Sequence, residues 1–383
     1  MRAPEPQGTT FSSFGRSLMN IRRGQVHSME PPSHQELDLQ AFQKRVADRF
    51  SDLLASDSGE FLSIPWIQKL LDVFLSCQDE FRSILLANKG AFNKALAERY
   101  LGEYFERSVK GLDVCNAIRD GIEHVRQWQK HLEIMLCALD NHHHRSLGEG
   151  QFRRAKKALV DLAISMLDEK ESHNTSISHR NRSFGRQRDK SNSSNNNKSL
   201  THFRSLSWSV SRNWSAARQL QTIGNNLSAP RNSDIVASNG LALSVFTMSY
   251  VLYFVMWALV AAIPCQDRGL QTHFYVNKQQ FVWAGPLMAL HERILEESKK
   301  KDRRNACGLL KEIHEIEKAV RRVNELINSV HFPLSEEKEG EARKIVDEVR
   351  AVFGALNDGL NPLECRVREV FHKIVRCRTK GLE

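Results

Sequence analysis

The sequence contains no glycine-rich phosphate loop, no GxGxxG fingerprint, no HExxH pair, no GxSxG elbow and no CxxC spacing. Those gaps remove the nucleotide-cradling, zincin, nucleophile-elbow and paired-thiol signatures, so no enzyme class is indicated and no cofactor is expected. Cysteine is sparse as well: 7 residues, an odd number, which speaks for reduced thiols in a cytosol-facing setting rather than a disulfide framework. Cys77, Cys115, Cys137, Cys307 and Cys365 read as small apolar residues. Residues 1–23 lack an uninterrupted apolar core because Pro4, Pro6, Arg16 and Arg22 break it, so a cleaved secretion signal is not expected. His142, His143 and His144 are consecutive and splay apart in a turn, which makes them a solvated loop before a metal site.

What is present begins with one stretch. Leu241 to Ile263, LALSVFTMSYVLYFVMWALVAAI, carries no charged residue, amide, histidine, glycine or proline. At about 1.5 Å per residue it is as long as a bilayer's hydrocarbon is thick. Two readings follow. As a single-pass anchor it would put Leu241, Phe246, Val251, Phe254, Trp257, Leu259 and Ile263 against lipid, with Ser244, Thr247 and Ser249 each bonding back to a carbonyl one turn earlier. As the central helix of a bundle it would need protein on every side. Mid-run Tyr250, Tyr253 and Trp257 sit poorly at membrane depth, and spanning would strand the C-terminal helices across the bilayer from the N-terminal ones. Both readings stay open, with membrane association, largely cytoplasm-facing, as the expectation and a soluble cytoplasmic protein as the alternative.

Around this run the chain predicts an all-α helical bundle with one disordered insert. Residues 1–34 form a flexible tail. Within 35–170, apolar stripes recur at steps of three and four: Leu39, Phe42, Val46, Phe50 and Leu53; then Ile64, Ile67, Leu70, Leu71 and Phe74; then a series opening near Ala91 with Phe92, Leu96 and Tyr100 and running to Ile122, with Gly102 and Gly111 as weak points, continued from Val125 to Leu139. A further helix spans 152–167. Acidic residues between these stripes, such as Asp72, Asp79 and Glu80, read as solvated faces. Residues 171–202 are rich in Ser, Asn and Arg and nearly free of aliphatics, so they cannot offset their ordering entropy and form a disordered linker. Within it and just beyond, Ser183 and Ser207 each follow an arginine by three residues, a spacing that basophilic kinases use. The segment 203–226 is basic and amphipathic, suited to a membrane surface or to docking on the bundle. In 280–380 the pattern predicts helices over 282–304, 306–330 and 342–356, and one after Pro362. Lys and Arg number 55 against 45 Asp and Glu, an excess that favours an anionic partner surface; nucleic acid is the weaker option, since no aromatic platform accompanies the arginines.

Four blocks carry a likeness: FGRSLMNIRRGQVHSME, LSIPWIQKLLDVFLSCQDEF, VKGLDVCNAIRDGIEHVRQWQK and RSLSWSVSRNWSAARQLQTIGNNL. In this order they resemble the plant Bypass/Roh family, and the Roh branch in particular. The resemblance implies a helical, non-enzymatic protein. Some members are similar to a protein that binds a subunit of the exocyst, which tethers secretory vesicles in polarised exocytosis and wall or mucilage deposition. Others are similar to a soluble developmental regulator that restrains a mobile root-derived growth signal. No individual site residue is carried over.

Overall fold

In the computed structural model, which describes residues 34–57, 59–87, 90, 94–139, 147–174, 215–265, 270, 274, 276–303 and 306–380, every regular element is a helix. The spacing of apolar residues dictates the first of them. Helix α1 (His34–Leu54) buries all five residues of its predicted stripe, Leu39, Phe42, Val46, Phe50 and Leu53. Helix α2 (Ile64–Ala87) follows, with Pro65 in its first turn where a missing N–H is harmless. Helix α3 (Lys94–Leu139) runs unbroken for 46 residues, through both Gly102 and Gly111. A mid-helix glycine costs only about 1 kcal/mol, which packing along most of the length of α3 easily overrides. Helix α4 (Glu149–Asn174) extends into the start of the predicted linker.

Helix α5 (Ala216–Gly224) opens at Ser215, whose Oγ accepts from Arg218 N at 3.1 Å, and buries Ala216, Leu220 and Ile223. This end of the basic segment therefore docks on the bundle, against α3 and the apolar helix. Helices α6 (Asn232–Ala237), α7 (Leu241–Ala262), α8 (Ala284–Lys299), α9 (Lys311–Ser329) and α10 (Glu336–Lys380) complete the chain. A break was expected at Pro362, yet α10 continues through it. The proline cannot donate to the Asp358 carbonyl; buried Leu356, Leu360, Leu363 and Val367 on both sides hold the axis, and Gln68 Nε2 donates to the neighbouring Gly359 carbonyl at 3.3 Å.

Helix α7 is the apolar run, long and apolar enough to cross a membrane by length and composition. In the fold it lies inside, touched by α1, α2, α3, α5, α6 and α8. Leu241, Phe246, Val251, Phe254, Trp257, Leu259 and Ile263, the residues expected against lipid, are all buried by protein. The physical reason is that the neighbouring stripes have nowhere else to bury, and the aromatic rings find rings. Phe254 meets Phe50 edge-on at 5.6 Å, Tyr250 lies 5.4 Å from Trp283, and Trp257 lies 4.4 Å from the His291 ring. Of the three hydroxyls, Thr247 bonds back to Leu243 O at 2.9 Å as expected, whereas those of Ser244 and Ser249 are buried with no hydrogen-bond partner among the described residues. Thr247 also joins a buried chain: Gln43 Nε2 donates to its Oγ1 at 2.7 Å, and Trp283 Nε1 donates to Gln43 Oε1 at 2.6 Å.

Both ends of α7 are closed by distant or specially shaped backbone. Gly240 takes φ 81° at the start, with Ser238 Oγ accepting from Ala242 N at 3.1 Å. At the other end, Leu309 N and Leu310 N donate to Ala261 O and Ala262 O, each at 3.0 Å. Residues 306–310, expected to be helical, form no helix, because Leu309 and Leu310 cap these carbonyls instead. The same segment then fastens α2: Lys311 N donates to Leu62 O at 2.8 Å, and Glu312 accepts from Ile64 N at 3.1 Å. Gly121 of α3 faces the exit of α7 so closely that a Cβ would stand 2.0 Å from Pro264 O. The two halves flanking the insert are thus packed on one another, α10 along α2 and α3, and α8 along α1.

All seven cysteines are free thiols; Cys137 and Cys365, read as small apolar residues, are exposed because they fall on outward faces of α3 and α10. Glu80 is no solvated spectator. It pairs with Arg45 at 3.0 Å and with Arg49, joining α1 to α2, and these pairings hold its carboxyl below the usual range against the opposing effect of burial.

Two outcomes are expected. Gln43→Leu strands the Trp283 indole N–H and destabilises the protein by about 1–3 kcal/mol. In chemical denaturation, Gln43→Leu with Trp283→Phe should lose less than the sum of the singles, and strict additivity would refute the network. Burial raises the Glu312 carboxyl above its ordinary value of 4.5, with the Ile64 N–H opposing. The folded state therefore holds this proton more tightly, so the contribution is present below the ordinary value and is lost as pH rises through the folded one. The stability difference between wild type and Glu312→Gln should fall as pH rises above the ordinary carboxyl value of 4.5; a flat difference would refute it.

Candidate functional site

Helix α3 carries Arg99, Tyr100, Glu103, Glu106, Arg107 and Lys110 at spacings of one, three and four, which gathers them toward one face over three turns. Opposite stands the connection from α5 to α6, Asn225 to Arg231, followed by Asp234 of α6. Between them lies an open cleft of about 1060 Å³, floored by Ala242, Val245, Phe246 and Ser249 of α7.

Its rim is fixed by an acid shared between two donors. Tyr100 Oη donates to Asp234 Oδ2 at 2.7 Å, and Arg99 Nη2 approaches the same oxygen at 3.4 Å while its guanidinium rests 4.5 Å over the Tyr100 ring. The tyrosine hydrogen bond, helped by Arg99, holds the Asp234 carboxyl below the usual range; burial, then the same aspartate, push the Tyr100 phenol up. Deeper in, Arg107 is 8% exposed. Its Nη2 donates to Asn226 O at 3.5 Å, with Asn226 in a left-handed conformation at φ 56°, and its Nη1 lies 3.6 Å from the Glu103 carboxylate. Burial lowers its pKa against the charge of Glu103, and its Nε has no hydrogen-bond partner among the described residues. Ser249 Oγ on the floor is likewise unpartnered.

Charges of both signs line the walls of the cleft, an apolar strip lines its base, and a buried guanidinium retains an unused donor. Among the described residues no group of three His, Cys, Asp or Glu is placed to hold a metal ion. A smaller cleft of about 460 Å³ lies between α9 and α10, beside Glu312 and Val352.

Of the residues expected against lipid, Phe246 alone lines the larger cleft, together with Ser249, expected to bond back along its own helix. Ala91, Phe92, Ser183, Ser207 and His142 to His144 lie outside the described residues. Arg99, Tyr100, Arg107 and Asp234 were not singled out as site residues. The clustering on α3 was visible as helical spacing, but Asp234 is 134 positions from Tyr100 and no local pattern joins them.

Comparison with known proteins matches these elements to relatives from end to end. A family model described as "Protein ROH1-like" matches residues 6–383. The chain is similar to protein ROH1D of Arabidopsis thaliana, 57% identical with 97% of this chain and 96% of the relative covered. It is similar also to protein ROH1A of the same plant, 36% identical with 98% and 96% covered. No solved structure matches. Agreement of this extent, reaching through the helices that build the cleft and the helix beneath it, means that the chain belongs to the ROH1-like family.

Proposed function

We propose that this protein is a non-enzymatic interaction protein of plant secretion whose α3–α6 cleft receives a segment of an exocyst subunit and so modulates polarised exocytosis. The observation that carries the reading is the cleft itself: charged walls, an apolar floor and the unused Nε of buried Arg107. Such a surface suits a peptide segment bearing an apolar side chain between charged ones, with the arginine as anchor. Kinship with ROH1D and ROH1A supports it through the family resemblance. The protein works from the cytoplasmic side as a peripheral component, a reading supported by the burial of α7, since crossing a bilayer would require stripping six helices from it.

The test is capture of individually expressed exocyst subunits by the purified full chain. Wild type should retain at least one subunit. Arg99→Glu with Arg231→Glu, both exposed rim positions, should weaken that capture roughly ten-fold or more while the melting temperature stays within a few degrees. Capture of no subunit by wild type would overturn the reading, leaving the soluble regulator of a mobile growth signal as the family-based alternative. Equal capture by wild type and variant would remove the cleft from it.

A further inference from the structure

Helix α4 has two unlike faces. Inward, Phe152, Ala155, Ala158, Leu159, Leu162 and Met166 are buried against α3 and α9. Outward, Arg153, Lys156, Lys157, Val160 and Ile164 are all exposed, and at about 100° per residue they fall within an arc of roughly 100°. Val160 and Ile164 are 47% and 50% exposed, one turn apart on this stripe. Exposed aliphatic pairs interleaved with cations are uncommon on a surface that meets only water. Arg153 pairs with Glu149 at 2.9 Å, with both side chains largely exposed, so the pair is weak and readily exchanged. Neither Lys156 nor Lys157 has a carboxylate partner among the described residues. Phe332, 39% exposed, lies at the border between the two faces. Its ring stands edge-on to Phe152 at 5.5 Å, one turn before Lys156.

We propose that the outward face of α4 is a peripheral docking surface for an anionic lipid bilayer, separate from the cleft and independent of what the cleft binds. The chemistry selects lipid. Two aliphatic side chains and a phenyl ring enter the headgroup–acyl boundary, while Arg153, Lys156 and Lys157 lay their methylene stems over it and reach acidic headgroups. Duplex nucleic acid would reward the cations and leave the aliphatics in water. A second copy of this chain would set like charges against each other. Attachment of this kind needs no spanning segment, so it is compatible with the burial of α7.

The experiment is flotation of the full chain with vesicles of phosphatidylcholine alone or with one third phosphatidylserine. Wild type should bind the anionic vesicles, bind the neutral ones weakly, and release as salt rises. Each cation near an anionic surface strengthens binding about five-fold, so Arg153→Gln, Lys156→Gln and Lys157→Gln together should weaken binding on the order of 100-fold. A matched removal of Lys299, Lys301 and Arg343, also exposed, should leave most of it. Val160→Ser with Ile164→Ser should weaken binding at high salt most, when only apolar insertion remains. Circular dichroism checks that each variant folds. The proposal is overturned if wild type ignores anionic vesicles, if both charge triples lose equally, or if the serine pair binds like wild type. It is overturned too if the α4 variants change only self-association in sedimentation, or if the same face binds duplex RNA in preference to vesicles.

Discussion

A helix with no polar face must hide its whole circumference and both of its ends from water, and α7 is such a helix. Burying the circumference is the easier half, because any apolar stripe will serve. The last carbonyls are harder: they have no partner within their own helix, and enclosed in a core each is costly to leave unpaired. Here the donors come from Leu309 and Leu310, far along the chain, and the same stretch continues into contacts that hold the start of α2. The closure of one buried helix end thereby makes the C-terminal region part of the N-terminal bundle. It also explains why residues 306–310, which could have begun a helix, do not: a helical segment would turn its N–H groups onto its own backbone.

The position of the cleft follows from the same enclosure. Four of the six helices packed on α7 are long, but α5 and α6 are short and joined by an exposed turn with a left-handed asparagine. Between that turn and α3 the cleft is floored by Ala242, Val245 and Phe246, each still more than nine-tenths buried, and Asn226 is brought onto Arg107. The groove therefore lies beside the two shortest of the helices around α7. The outer face of α4 is a different kind of surface, convex and basic, on a helix already fully packed on its inner side.

Much of this was legible in the residues. The stripe on α1 and the apolar faces of α2, α9 and α10 are periodic, and periodicity is a property of neighbours in sequence. The breaks were harder. Gly102, Gly111 and Pro362 weaken an isolated helix, and each lies inside a continuous one, because burial along α3 and α10 outweighs a local penalty. The cleft was least legible: its α3 wall shows as spacing, but Tyr100 and Asp234 become partners only when α6 folds back over α3.

Sequence alone determined the helical class, the family and the existence of one segment that water cannot solvate, since each depends on composition and local order. It could not choose between lipid and protein as that segment's surroundings, because a charge-free helix meets the same requirement in either. Tertiary structure made the choice, through six helices whose apolar faces close on α7 and two backbone N–H groups that satisfy its end. Enclosure is a property of the whole set of contacts, and no single stretch of the chain contains it.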